Sequence, residues 1–147
     1  MRIHEVLDAQ ASGARRTVVT ITADAAVRDL VELLAAHNIG AVVVRDSDTG
    51  PVAGIVSERD VVRRLRDGAG VLDGPVSAIM TSTVQTCGAS DSVDEVMATM
   101  TEYRVRHVPV LDGGSLVGII SIGDVVKSRI GQLEFERDQL DSYLRQS

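Results

Sequence analysis

The sequence predicts a mixed α+β (α/β) protein in which two βαββα repeats pack as a pseudo-twofold pair, followed by a C-terminal helix. Three observations predict it: a block of sequence that occurs twice, apolar residues at helical spacing ahead of each copy, and short apolar strands joined by turns. The chain has 147 residues, 44% of them hydrophobic. A repeat of half that length buries little apolar surface alone, so we expect the two copies to share an interface.

The repeated block is the clearest signal. Segment 52–63, VAGIVSERDVVR, aligns without a gap with 116–127, LVGIISIGDVVK. The match continues upstream, where 41–44 (AVVV) corresponds to 107–110 (HVPV), and the turn after these segments differs in length. Two copies are too few for a solenoid, which needs three or more. We therefore predict a pair.

Each repeat begins with a β-rich strand, at 17–22 and at 83–87, followed by an amphipathic helix. The apolar residues recur at helical spacing and predict one buried stripe per helix. These residues are Val27, Leu30, Val31 and Leu34 in the first copy and Val93, Val96, Met97 and Met100 in the second. Ser92 and Glu95 predict a capping box for the second helix, whereas Ala26 takes the place of the serine in the first.

Two short apolar strands follow each helix, at 41–44 and 52–56 and again at 107–110 and 116–120, and a second helix ends the repeat. The first crossover should be right-handed if its flanking strands are parallel. Pro109 lacks a backbone N–H, so we expect its strand to leave one side unpaired or to lie at a sheet edge.

A breaker-rich segment, 67–75, separates the repeats, and the apolar segment 76–80 resembles the lead-in 3–7 at the N-terminus. The predicted divisions are the first repeat with its lead-in at 1–68, a linker with a short lead-in helix at 69–82, the second repeat at 83–128, and an amphipathic C-terminal helix at 129–147. The apolar residues of that last helix fall near heptad positions: Ile130, Leu133, Leu140 and Leu144. This pattern fits packing on a sister subunit, and also a simple intramolecular or solvated helix.

Composition argues against several classes of protein. A net charge of −6 does not suit a nucleic-acid-binding protein, which needs clustered Lys and Arg. Aromatic residues make up 2% of the chain, so a bound base would lie between aliphatic side chains. The apolar runs are far shorter than the ~20 residues of a membrane helix, and the first residues lack the apolar run of a secretory signal. We expect a cytoplasmic protein with no membrane partner.

Motifs of catalysis and of metal binding are not evident. There is no nucleophile elbow, no phosphate-binding loop with its lysine, and no Ser/His/Asp constellation. No histidine pair has metal-binding spacing, so we expect neither an enzyme nor a metal site. The single cysteine, Cys87, cannot form an internal disulfide and is interpreted as a small residue in a site wall rather than a redox thiol.

The repeated Ser-x-x-Asp segment is the candidate binding element. Ser57 and Ser121 each end a strand and open a helix, where backbone N–H groups and the helix dipole attract phosphate. Asp60 and Asp124 lie in the first helical turn, where a carboxylate can accept hydrogen bonds from a ribose diol. The same spacing is close to a capping box, in which the aspartate bonds the serine N–H. Both interpretations stay open.

Taken together, the lead-ins, the paired helices and strands, and the doubled Gly-Ile-Val/Ile-Ser-x-x-Asp-Val-Val block resemble a tandem pair of CBS domains, or Bateman module, over residues 3–130. The chain is similar to small stand-alone CBS-pair proteins of bacteria and archaea. The resemblance implies two clefts between the repeats and binding of adenine nucleotides such as AMP, ATP, NAD(H) or S-adenosylmethionine.

The resemblance also implies site residues by matching position. The first cleft would use Thr20, Ile21, Ala41, Val42, Ser57, Arg59 and Asp60. The second would use Thr86, Cys87, His107, Pro109, Ser121 and Asp124, with Arg104 or Arg106 supplying a phosphate partner from the segment before the strand. Because Gly123 stands where the first copy has Arg59, we expect phosphate-rich ligands to prefer the first cleft.

The resemblance implies a non-enzymatic regulatory module that senses cellular energy by binding an adenine nucleotide, AMP or ATP foremost, which can bring Mg²⁺ with it. We expect a homodimer and an effector protein that reads the ligand-induced change. The alternative is an oligomerisation scaffold whose clefts stay empty.

Overall fold

The structure is a computed structural model that describes residues 1–10 and 18–146. The chain forms two compact units, of which one is Thr17–Thr86. The other combines the N-terminal segment Met1–Arg16 with Cys87–Ser147. We call them the first and second unit, after the repeat that each contains.

In chain order the helices and strands are α1 (Ile3–Gln10), β1 (Thr20–Thr22), α2 (Val27–His37), β2 (Ala41–Arg45), β3 (Val52–Ser57), α3 (Glu58–Leu65), β4 (Cys87–Gly88), α4 (Val93–Tyr103), β5 (His107–Asp112), β6 (Ser115–Ser121) and α5 (Ile122–Arg145). Short 3₁₀ turns at Ala69–Asp73 and Val76–Ala78 lie between α3 and β4. The predicted mixed α/β class, with two βαββα repeats and a C-terminal helix, is confirmed. Thr17 of the predicted first strand and Ser147 of the predicted last helix lie outside the described residues.

Each unit has one three-stranded sheet, with strand orders β1-β2-β3 and β4-β5-β6. In both sheets the middle strand is parallel to the first strand and antiparallel to the third. Equivalent residues pair in the two sheets: Ile21–Val44 and Cys87–Val110, then Ala41–Ser57 and His107–Ser121. The alignment of the two halves of the sequence is therefore also the alignment of the two sheets.

The lead strand of the second unit differs from the predicted strand 83–87, because only Cys87–Gly88 pairs with β5. In the first unit the parallel pairing extends one residue further, to Thr20 opposite Val43. The residue that corresponds to Val43 is Pro109, which has no N–H to donate. Pro109 does leave its β4 side unpaired, as predicted. The other expectation, an edge position, is wrong, because β5 is the central strand.

Both units bury the predicted helix stripe against their own sheet. The first core contains Val27, Leu30 and Leu34 of α2 with Val42, Val44 and Val56 of the sheet, and the second contains Val93, Val96 and Met100 of α4 with Val108, Val110 and Ile120. Val31, predicted as part of the first stripe, is 38% exposed. Each fully buried Val, Leu or Ile contributes about 1.5–3 kcal/mol to stability, so these cores hold each helix on its sheet.

The two lead-ins pack on the repeats that the sequence does not assign them to. In the second unit, the N–H groups of Ile3 and His4 donate to the carbonyls of Asp91 and Ala89, both at 2.9 Å. In the first unit, the N–H groups of Val76 and Ser77 donate to the equivalent carbonyls, Ala25 at 2.8 Å and Ala23 at 2.9 Å. Each repeat is therefore completed by a segment from elsewhere in the chain.

The first turn of α2 shows what this packing supplies. In α4, Ser92 Oγ accepts a hydrogen bond from the Glu95 N–H at 3.1 Å, which is the serine half of the capping box predicted there. In α2 the N-cap is an alanine without such a bond. The N–H of Val27 donates to the carbonyl of Gly74 at 2.9 Å, and the N–H of Val93 in α4 donates in the same way to the carbonyl of Met1 at 3.0 Å. In both units, the residues just before a lead-in thus accept the first N–H of the helix, which has no intrahelical partner.

The C-terminal helix continues the last helix of the second repeat without a break. α5 has 24 residues and is about 36 Å long. Its counterpart α3 ends at Leu65, and Gly68 then takes a φ of 121° that favours glycine. Every residue from Leu133 to Gln146, which form the end of the second unit, is exposed.

Gly54 and Gly118 lie where a lead-in approaches the sheet closely. A Cβ on Gly54 would be 2.8 Å from the backbone oxygen of Thr81. That oxygen accepts the Ile55 N–H at 3.0 Å, and the Thr81 N–H donates to the Ile55 carbonyl at 2.9 Å. A Cβ on Gly118 would be 2.6 Å from a methyl carbon of Leu7. The side chain of Leu7 can rotate away from a new methyl group. The backbone of Thr81 cannot move away without breaking its two hydrogen bonds to Ile55.

We predict that Gly54→Ala lowers the free energy of unfolding by about 1–3 kcal/mol, because the new methyl group overpacks against fixed backbone. The matched variant Gly118→Ala should cost less, since Leu7 can rotate. Urea-induced unfolding followed by circular dichroism measures both. An equal or larger loss for Gly118→Ala would contradict this account of the lead-in contact.

Candidate functional site

Both Ser-x-x-Asp segments form complete capping boxes. In the first, Asp60 Oδ2 accepts hydrogen bonds from the Ser57 N–H at 2.8 Å and from Ser57 Oγ at 3.1 Å, and the Asp60 N–H donates to Ser57 Oγ at 3.3 Å. The second box, between Ser121 and Asp124, has corresponding distances of 2.9, 2.8 and 3.1 Å. The capping interpretation of the motif is therefore confirmed at both positions.

Capping does not use the whole carboxylate. Both side-chain bonds of each aspartate fall on Oδ2, and among the described residues no hydrogen bond reaches Oδ1 of Asp60 or Asp124. Both aspartates are half-buried. Since the box fixes the orientation of each carboxylate, Oδ1 is a pre-positioned acceptor that a hydroxyl pair could use.

The start of each capped helix is tied to the start of the middle strand. The Glu58 N–H donates to the carbonyl of Gly40 at 2.9 Å, and the Ile122 N–H donates to the carbonyl of Arg106 at 2.8 Å. The boxed serine therefore lies beside the first residue of the middle strand, so Ser57 faces Ala41 across the β2–β3 ladder.

Alternation along the strands divides the residues predicted for the first cleft. Thr20, Ala41 and Ser57 share the sheet face that points away from the helices, because alternate residues project to opposite sides. Ile21 and Val42 point the other way and pack in the core of the first unit. Thr20, Ala41 and Ser57 are thus on one face, and Asp60 is bonded to Ser57. A ligand on that face could contact only the backbone groups of Ile21 and Val42.

The second unit repeats this division. His107, Pro109 and Ser121 share the face opposite the helices, whereas Cys87 packs against the core. Thr86 is exposed and directly precedes β4.

The isoleucines Ile55 and Ile119 lie on the outer sheet faces and are missing from the sequence prediction. Ile55 lies two residues before Ser57 and pairs with Val43, and Ile119 lies two residues before Ser121 and pairs with Pro109. The two-residue period of the strand was the signal that pointed to them. Both isoleucines are half-buried, and they are the aliphatic type of surface expected for a base in a chain with so few aromatic residues.

The charges beside the two boxes differ. Arg59 is an exposed residue in the first turn of α3 and takes part in none of the ion pairs formed by the described residues. The equivalent residue in α5 is Gly123, and the candidate cations Arg104 and Arg106 are exposed just before β5. Only the first box has a guanidinium on the helix turn that carries it.

Cys87 is a poor candidate for a reactive thiol. Burial in the second unit, and next the negative charge of Asp91, raise the pKa of this thiol to about 11. Asp91 is held nearby because its Oδ2 accepts the Gly88 N–H at 2.8 Å. A thiol with a raised pKa has little thiolate at neutral pH, and the thiolate is the nucleophile. These facts support a packing role.

We predict that Cys87 is alkylated by iodoacetamide at pH 8 about 100-fold more slowly in the folded protein than in urea, where a cysteine pKa is about 8.5. Because the folded pKa is raised, the rate should keep rising with pH toward a midpoint of about 11. Mass spectrometry at timed intervals measures the alkylated fraction of the protein, which has a single cysteine. A rate that levels off between pH 8 and 9 would show an activated thiol instead.

Over residues 1–10 and 18–146, no helix combines the length and apolarity needed to cross a bilayer. The same residues contain no group of three or more His, Cys, Asp or Glu side chains placed to hold a metal ion.

Comparisons with known proteins identify related sequences and structures. The family model described as "CBS domain" matches residues 11–67 and 76–131. A mitochondrial CBS domain-containing protein of Arabidopsis thaliana is 32% identical over 147 residues, which cover 97% of this chain and 71% of that protein.

Two solved structures illustrate the structural likeness. A protein with CBS domains from Burkholderia ambifaria is 44% identical, with a TM-score of 0.81 over 89% of this chain and 95% of its own. A CBS domain protein from Pyrobaculum aerophilum, in complex with AMP, is 30% identical, with a TM-score of 0.70 over 84% of this chain and 89% of its own.

Proposed function

This chain belongs to the CBS domain family and contains two CBS domains, and from that premise we propose that it is a regulatory module that binds an adenine nucleotide and has no catalytic activity of its own. The observation that carries the proposal is the pair of aspartates in the capping boxes, Asp60 and Asp124. Each uses Oδ2 in its box, so Oδ1 can accept hydrogen bonds from a ligand. The AMP complex of the Pyrobaculum aerophilum relative supports the ligand class.

The first repeat is the proposed main site for a phosphate-bearing ligand such as AMP or ATP. The ribose hydroxyls bond Asp60 Oδ1, and the phosphate lies at the start of α3 near Ser57 and Arg59, where backbone N–H groups and the guanidinium attract it. The base lies against the aliphatic face formed by Ala41 and Ile55. Mg²⁺ accompanies the ligand when that ligand is ATP.

The second repeat is the proposed weaker site. Its Asp124 offers the same ribose acceptor beside Ser121, and His107 and Pro109 provide the surface for the base. Arg104 or Arg106 supplies the cation for the phosphate, because Gly123 has no side chain.

A regulatory role requires that the ligand prefer one arrangement of the protein energetically. We propose that a homodimer of this chain, in the cytoplasm, passes that preference to an effector protein.

A scaffold that binds no nucleotide is the second candidate. The observation that favours it is the completeness of both capping boxes, because a capped helix explains Ser57 and Asp60 without any ligand. On this alternative the two repeats exist to hold surfaces for protein partners.

Thermal unfolding with AMP, ADP, ATP, NAD(H) and S-adenosylmethionine, each at ~1 mM, separates the two candidates. A ligand at 100 times its Kd stabilises the folded state by about 2.7 kcal/mol, which raises the Tm by several degrees in a chain of this size. We predict a selective shift that Asp60→Ala removes.

Asp60→Ala also removes a helix cap, which costs about 0.5–2 kcal/mol, so the quantity to compare is the ligand-induced shift within each variant. Asp29→Ala, in the first turn of α2, is the control and should keep the shift. A folded wild-type protein with no shift for any nucleotide would favour the scaffold.

We further predict that Asp60→Ala weakens ATP binding more than Asp124→Ala does. Arg59→Gly should weaken ATP binding about tenfold or more, because a charge-assisted hydrogen bond is worth roughly 1.5–3 kcal/mol. The converse variant, Gly123→Arg, should strengthen the second site. Isothermal titration calorimetry measures all four, and a larger loss for Asp124→Ala than for Asp60→Ala would refute the assignment of the main site.

A further inference from the structure

The exposed side of α3 carries three arginines around a valine. Val62, Arg63 and Arg66 lie three, four and seven positions after Arg59, and Arg66, the C-cap of α3, keeps helical backbone angles. All four residues are exposed, Val62 to 66%. At about 100° of rotation per residue, they lie roughly 150° around the helix from Val61, which packs in the core of the first unit. We call these four residues the arginine face.

Positive charge is concentrated on this helix although the chain as a whole is acidic. Four of the 15 Lys and Arg residues lie at 59–66, in a chain with a net charge of −6. The three arginines of the face take part in none of the ion pairs formed by the described residues, and neither does Glu58 at the start of α3. The positive charge of the face is therefore not neutralised by an ion pair within the described part of the chain.

The arrangement costs helix stability when nothing is bound to it. Arg59 precedes Arg63 by four positions, Arg63 precedes Arg66 by three, and like charges at either spacing repel each other. Arg59 also lies in the first turn of α3, where a cation opposes the helix dipole. A partner with negative charge would remove both penalties.

The equivalent face of the second repeat has a different character. Gly123, Val126, Lys127 and Ile130 occupy the corresponding positions in α5. The valine is shared, but only one of these residues carries a positive charge. The arginine face is therefore a property of the first repeat and is not required by the fold that the two repeats share.

We propose that the arginine face is the docking surface for an acidic segment of an effector protein, in which carboxylates flank an apolar side chain. Guanidinium groups match carboxylates in geometry, and Val62 offers an apolar contact between them. From Arg59 to Arg66 the face is about 10 Å long, too short to follow a nucleic-acid backbone, and the net charge of −6 opposes that ligand. One exposed valine is too little apolar surface to enter a membrane.

Docking at this face opposes nucleotide binding in the first repeat. Arg59 is the proposed phosphate cation of that site, so bound ATP occupies this arginine and places negative charge at one end of the face. ATP and the acidic segment therefore weaken the binding of one another by the same factor. This coupling rests on the proposed function, whereas the docking surface does not.

Fluorescence anisotropy with a labelled synthetic peptide tests the surface. The probe is a helical peptide of Glu, Leu and Ala in which glutamates flank one leucine, and the control peptide has Gln in place of every Glu. We predict that the probe binds, that the control peptide does not, and that salt weakens the binding of the probe. Arg63→Glu combined with Arg66→Glu should raise the Kd of the probe about tenfold or more, because two attractions become repulsions.

Arg64→Glu is the matched control variant, because it makes the same change of charge on the other side of α3 and should raise the Kd much less. Val62→Ser should weaken the probe several-fold without changing the charge. Circular dichroism confirms that the variants fold. No binding of the probe, equal binding of the control peptide, or an equal loss for Arg64→Glu would overturn the docking surface.

Other occupants of the face give other results. Tighter binding of a DNA oligonucleotide or of phosphatidylserine vesicles than of the probe would overturn the acidic segment as the partner. A homodimer that dissociates when Arg63→Glu and Arg66→Glu are combined would show that a second copy covers the face, and would overturn it as well.

Competition between the probe and ATP tests the coupling. Saturating ATP should raise the Kd of the probe several-fold in the wild-type protein, and Arg59→Gly should remove that effect. If calorimetry shows that ATP binds but the Kd of the probe does not change, the coupling is overturned. ATP that fails to bind while the probe does would contradict the nucleotide site and with it the coupling, while the docking surface stands.

Discussion

Each repeat depends on one aspartate carboxylate. Its Oδ2 caps a helix, and its Oδ1 accepts no hydrogen bond from the described residues. Asp60 Oδ2 accepts two hydrogen bonds from Ser57, and the same arrangement recurs between Asp124 and Ser121. These bonds hold the carboxylate in a single orientation at the junction of strand and helix. A ligand that bonds Oδ1 would therefore meet a group already in place, which reduces the entropy lost on binding.

The two lead-ins are exchanged between the repeats: each packs on the repeat that does not directly follow it in the sequence. Residues near the N-terminus bond the second repeat, and the segment around Val76 bonds the first, through equivalent backbone carbonyls. Each unit therefore contains chain from outside its own repeat. The close approach at Gly54 belongs to this exchange, because the nearest backbone atom is the oxygen of Thr81, which directly follows the lead-in.

Much of the fold follows from the sequence, since the repeated segments predict the same element order twice. The helix stripes and both Ser-x-x-Asp caps were predictable because they depend on residues three or four positions apart. Which repeat each lead-in packs on was not predictable, because the lead-ins donate to backbone carbonyls that both repeats possess. The short β4 depends on Pro109 of a distant strand. The inward orientation of Ile21 and Val42 depends on strand register, which position-by-position comparison with a family does not reveal.

The central claim is that the start of α3, beside the first residues of β2, is a nucleotide site. A ¹H–¹⁵N correlation spectrum of the labelled protein, titrated with AMP, tests it most directly. The account predicts that the backbone amides of Thr20, Ala41 and Ser57 to Asp60 shift first and furthest, with smaller changes at Ser121 to Asp124. Unchanged amides around Ser57 at millimolar AMP, or shifts confined to other parts of the chain, would contradict it.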